Sequence, residues 1–110
     1  MPHLRFRALD SQHVQSLSQS LLAPLQPLMA CPNEDFTFEK VASDFYFSGL
    51  TTSAYPFVEV LWFDRGQEKQ DLIATIITEQ VRHLRPDSQD IAVIFHALSP
   101  ARYYDNGQHY

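Results

Sequence analysis

Cysteine is almost missing from this chain, with Cys31 the one thiol in 110 residues. A lone cysteine cannot close an intrachain disulfide, and nothing in its use points to an oxidising compartment. Glycine is scarce as well, at three residues, and no GxGxxG or phosphate-loop pattern is present. No apolar run approaches the roughly 20 residues that cross a bilayer. The amino-terminal segment alternates charged and apolar residues and has no signal-peptide core. Basic residues are outnumbered, 8 Lys+Arg against 13 Asp+Glu, for a formal net charge of −5. Partners such as nucleic acid or anionic membrane need the opposite balance. The five histidines (His3, His13, His83, His96 and His109) show no metal-ligand spacing, and Cys31 has no CxxC partner. The expectation is a soluble cytoplasmic domain spanning residues 1–110, with no metal and no cofactor.

What the chain does have is pattern. His3 to Leu9 alternates, with Leu4, Phe6 and Ala8 on one face and His3, Arg5 and Arg7 on the other. Pro2 stands before that strand, where its missing N–H costs an edge nothing. It also occupies the one place where removal of Met1 would turn a proline nitrogen into a free secondary amine, able to act as a base or nucleophile. Asp10-Ser11 supplies a helix cap. Val14, Leu17, Leu21, Leu25 and Leu28 then form one helical stripe. Pro24 and Pro27 predict a kink or a second helical piece from about Pro24.

Phe36 to Val41 reads as a second strand. Ser43 to Tyr55 reads as a short ordered excursion. Phe57 to Asp64 is a third strand, rich in aromatic and β-branched residues. Ile73, Ile76, Ile77, Val81 and Leu84 stripe a second helix, which Arg85-Pro86-Asp87 stops. Ile91 to Leu98 is the fourth strand, and Asn106-Gly107 marks a tight turn in the tail.

The order is strand, helix, strand, twice over. Pro56 follows Pro2 by 54 residues and Asp90 follows Asp35 by 55, so the halves align with little residue identity. The fold class expected is α+β: a duplicated βαβ with a four-stranded mixed sheet and two helices on one face. Repeat one covers about 2–42, repeat two about 56–98, and 99–110 is a C-terminal segment. By parity the second sheet face carries Arg5, Arg7, Glu39, Glu59 and His96 together with Phe57, Leu61 and Ile94. That mixture is too apolar for free solvent and predicts a subunit interface, with Arg5 and Arg7 pairing with Glu39 and Glu59.

Pro2 directly after Met1, the doubled βαβ plan and the short C-terminal segment resemble the tautomerase superfamily of 4-oxalocrotonate tautomerase and macrophage migration inhibitory factor. More narrowly, MPHLRFRAL, YPFVEVLWFDRG and ARYYDNGQHY are similar to a bacterial family of uncharacterised function assigned to that superfamily. The resemblance implies a homotrimer in which sheets wrap a central barrel and helices lie outside. It also implies an amino-terminal proline that moves protons between the carbon and oxygen of keto and enol forms, in a pocket at the subunit boundary. Carried onto this chain, Pro2 matches the catalytic proline, and Arg65 matches a pocket-lining position that would hold a substrate carboxylate. Gln12 and Thr37 stand where 4-oxalocrotonate tautomerase has substrate-binding arginines. Cys31 stands for the inhibitory factor's pocket lysine, and Ala92 and Ile94 for its tyrosine and asparagine.

Three functional classes follow. One is a keto–enol tautomerase (an isomerase) acting on a small oxo-acid or enol substrate through Pro2. Another is a non-catalytic trimeric binding protein that keeps the fold. The third is a ferredoxin-like regulatory domain, since βαββαβ is also that fold's order. His96 is expected as a hydrogen-bonded core histidine, with an acid/base role the alternative.

Overall fold

The computed structural model describes residues 1–110. Strand β1 (His3–Arg7) buries Leu4 and Phe6 completely and leaves His3, Arg5 and Arg7 half-exposed, as the alternation dictates. It ends sooner than the alternation extends. Ala8 turns into the left-handed region at φ 61°, so Leu9 rather than Ala8 becomes the next buried side chain. Asp10 then caps helix α1 (Ser11–Ser20). Its Oδ1 accepts the His13 N–H at 2.8 Å, and His13 Nδ1 accepts the Asp10 N–H in return. Removing that reciprocal cap with Asp10→Ala should cost about 1 kcal/mol, read as a lowered urea midpoint at unchanged slope.

The helical stripe forms in two pieces, as the prolines predict, except that Met29 rather than Leu28 is its last fully buried residue. Helix α2 (Leu22–Met29) begins one residue after α1 ends, and Pro24 falls in its first turn, where no backbone donor is required. The break therefore precedes Pro24, and Pro27 is the proline lying inside a helix. Val14, Leu17, Leu21, Leu25 and Met29 are all buried on one side. Strand β2 (Thr37–Lys40) follows a short 3-10 turn.

The excursion is a hairpin, β3 (Phe45–Phe47) and β4 (Leu50–Thr52), joined by Ser48 and Gly49 at φ 51° and 80°. Both central residues have positive φ, the mirror-image turn that suits strand twist. Its tip is apolar and bare, with Phe47 78% and Leu50 73% exposed. Strand β5 (Phe57–Trp62), helix α3 (Gln67–Leu84) and strand β6 (Ala92–Ala97) form the second unit. The tail closes with the two-residue strands β7 (Tyr104–Asp105) and β8 (Gln108–His109) around Asn106-Gly107.

The main sheet has the order β2-β1-β5-β6. Pairs β1–β2 and β5–β6 are parallel, and β1 meets β5 antiparallel in the centre. Two tandem parallel pairs exclude the interleaved ferredoxin arrangement. The duplication shows in the backbone bonds: Thr37 N–H donates to the Pro2 carbonyl at 3.1 Å and Ala92 N–H to the Pro56 carbonyl at 3.0 Å. Across the central pair His3 faces Leu61, Arg5 faces Glu59 and Arg7 faces Phe57. Arg5 and Glu59 are thus the same position of the two repeats, opposed. One sheet face and the three helices enclose a continuous core that includes Phe6, Trp62, Ile73, Ile77 and Val81.

Candidate active site

Strand parity sets the charged network of the second sheet face. Arg7 Nη1 donates to Glu59 Oε1 at 2.6 Å, and His96 Nε2 lies 2.9 Å from Glu59 Oε2. Arg5 Nε is 3.3 Å from Glu39 Oε1 but makes no aligned hydrogen bond, so that contact is electrostatic. Arg5 and Arg7 thus pair with Glu39 and Glu59 as expected, but inside one chain rather than across a subunit interface. His96 is not the core histidine expected. Its side chain is 49% exposed, because β6 is an edge strand and turns that face outward.

Burial raises the Glu59 carboxyl, but the His96 hydrogen bond and the charges of Arg7 and Arg5 outweigh it and hold the group below the usual carboxylate range. A depressed carboxylate stabilises the fold above its unfolded pKa, and that share disappears as pH falls through the folded value. Urea melts of wild type and Glu59→Gln between about pH 5 and pH 3 should therefore show a shallower pH slope for the variant.

Pro2 is buried at the head of β1. Because β5 runs antiparallel alongside, its exit, from Phe63 to Arg65, lies beside that head. Arg65 is half-buried, and its Nη1 donates to the Phe63 carbonyl at 2.6 Å. It forms no ion pair with Asp64 or Glu68. Asp64 instead accepts the Gly66 N–H at 2.8 Å and shapes the entry to α3. Cys31 belongs to the same neighbourhood. Burial pushes its thiol up, while the amino-terminal charge and the Arg65 guanidinium pull it partly back. An inert buried thiol is the result.

A further group gathers at this end. His3 Nε2 lies 2.6 Å from the Tyr103 hydroxyl, and His3 Nδ1 bonds Thr37 Oγ1. Tyr103 meets both Tyr110 and Phe63 edge-on and Tyr110 lies tilted against Phe63, so the C-terminal segment wraps the head of β1 within its own chain. Burial, and then the amino-terminal charge, lower the His3 pKa against an opposing pull from Glu39. Its imidazole is consequently neutral near pH 7. Burial and nearby Asp105 raise the Tyr103 phenol, which stays protonated. None of the four cavities of the single chain reaches Pro2 or Arg65.

Two tandem βαβ units and a central antiparallel junction make up a tautomerase/MIF-like α+β fold. A fused 4-OT solved as an asymmetric trimer has this fold at TM-score 0.82 and 15% identity, over 97% of this chain and 94% of that one. The chain belongs to the DUF1904 family, a domain of unknown function whose sequence profile matches residues 1–109. A DUF1904 protein from Sebaldella termitidis is 34% identical over the whole of both chains, with TM-score 0.90. A protein of unknown function from Vibrio cholerae O1 is 43% identical over 99% of this chain and 87% of that one, with TM-score 0.87. No curated protein matches the chain. No helix is long and apolar enough to cross a membrane.

Proposed function

We propose that residues 1–110 act as one domain of a homotrimeric tautomerase, with Pro2 as general base once Met1 is removed. The observation that carries this reading is the position of Pro2: buried at the head of a central strand, beside the exit of β5 that holds Arg65. A free proline nitrogen there would take a proton from the carbon next to a keto group, or from an enol hydroxyl, and return it to the other atom. Arg65 would hold the substrate carboxylate through its guanidinium fork. The Tyr103 phenol, when it accepts from the neutral His3 imidazole, keeps its own O–H to donate to the oxygen on which negative charge develops.

Two features support assembly. The single chain has no cavity at Pro2, so a pocket there needs a neighbouring copy for its remaining wall. The bare hairpin tip and exposed Ile94 are apolar surface of the kind that interfaces cover. The trimer of the fused 4-OT fits the same expectation.

The test combines intact mass and light scattering on untagged protein with a panel of enolisable oxo acids. Loss of one methionine, a threefold mass in solution and turnover on some member of the panel are the expected results. A retained Met1 leaves Pro2 as an amide with no basic lone pair and ends the mechanism. The second reading, a trimeric binding protein without catalysis, is favoured by Ala92 and Ile94, which place no polar group where the inhibitory factor has tyrosine and asparagine. It predicts the threefold mass with no turnover.

A further inference from the structure

The duplication gives the sheet two equivalent ends, and only one can carry a free amine. At the other end Pro56 is an internal amide whose carbonyl is taken by Ala92. A cavity of about 370 Å³ opens at this second end, between the exits of β1 and β2 and the residues that lead to Pro56. Its polar wall comprises Lys40, Arg85, Asp10, Ser43 and Ser53, with Val41 among the apolar residues.

The charges in that wall are unequally engaged. Asp10 is committed to helix α1: its carboxylate accepts the His13 N–H and lies 3.3 Å from His13 Nδ1. Arg85 is fixed in place, donating to the Ala8 carbonyl at 3.0 Å and forking onto exposed Asp87. Lys40 has no carboxylate within ion-pair distance, and its ammonium reaches only the Ser11 hydroxyl at 3.3 Å. The Ser43 and Ser53 hydroxyls make no hydrogen bond to the protein. A lysine with no carboxylate partner, two hydroxyls that bond nothing in the protein and an apolar wall line one concavity. That lining suits a small organic oxyanion once the ammonium turns into it from Ser11, which borders the neighbouring concavity.

We propose that this cavity binds such an anion, a carboxylate or a phosphate ester, with Lys40 as the charge partner and Ser43 and Ser53 as neutral donors. The site binds without chemistry, because it lacks any amine corresponding to that of Pro2. It stands independently of whether Pro2 is catalytic.

The experiment is a titration of nitrogen-15-labelled full-length protein with inorganic phosphate, glycerol 3-phosphate and succinate, each separately and at low salt. Saturable amide shifts are expected at Ala42, Ser43 and Ser53, with a Kd on the order of 1 mM or tighter. Lys40→Gln should weaken binding by about tenfold or more, whereas Lys69→Gln, on the exposed side of α3, should leave it unchanged. Lys40 is exposed at the end of an edge strand, so its variant keeps the fold. Ser43→Ala gives a second, smaller loss. Response to the two phosphates alone assigns a phosphate ligand, and response to succinate alone a carboxylate. Absence of saturable shifts at these residues overturns the proposal. So does equal weakening by both lysine variants, or a response centred on His3 and Arg65.

Discussion

Pro2→Ala should lower turnover of an accepted oxo acid by at least about 10²-fold, within the usual range for loss of a positioned base. A terminal proline amine is a secondary amine held in a ring, so its lone pair has a fixed direction at the head of β1. Only the uncharged form of that amine would accept a proton, so activity should rise with pH as the ammonium is lost. Alanine at the same place leaves a primary amine on a chain end free to rotate, and alignment with the substrate carbon is lost. A form that keeps Met1 has only an amide there and should show no turnover above background. Thermal stability of all three forms should agree closely, because the Pro2 carbonyl, not its nitrogen, bonds the sheet. Equal rates for the three forms would remove Pro2 from the mechanism and leave the binding-protein reading.

Phe6→Ala should be among the most damaging single core changes, costing about 3–5 kcal/mol. Phe6 has no accessible surface, sits in the central strand and stacks on Phe38 with ring centroids 6.4 Å apart. Domains of this size have total stabilities of about 5–15 kcal/mol, so the variant should be substantially unfolded in mild urea. Phe6→Leu fills most of the volume and should cost about 1.5 kcal/mol or less. The check is a pair of urea titrations followed by circular dichroism. If the alanine variant melts with the leucine variant, β1 is less central to the core than its burial indicates.

Much of this architecture was legible because it depends on short-range periodicity. The alternation at Leu4 and Phe6, the stripes at Val14–Leu25 and Ile73–Val81, and the Asp10 cap are each written within a few residues. The Arg7–Glu59 pair was legible from strand parity. Other features were not. Phe45, Tyr46 and Phe47 alternate nothing, so the hairpin had only Ser48-Gly49 to announce it. His96 was read as a core residue although parity puts it on the charged face, and the edge position of β6 then leaves it half-exposed. The contact between His3 and Tyr103 spans a hundred residues of sequence and depends on how the tail folds back. At the candidate site, Pro2 stands out by position alone. Arg65 was named through likeness to known proteins, and the Lys40 cavity arises from three separated segments that no local pattern joins.

The opposition of Arg5 and Glu59 across the central strands has a further consequence. These are one position of a repeated unit, seen twice. Were the two repeats separate identical chains paired about that axis, the position would meet itself, arginine on arginine or glutamate on glutamate, and like charges directly opposed across strands are destabilising. Joining the repeats in a single chain frees the two copies to diverge, and here they carry opposite signs. At this position the pairing of unlike halves is therefore favoured over the pairing of like ones, by up to about 1 kcal/mol.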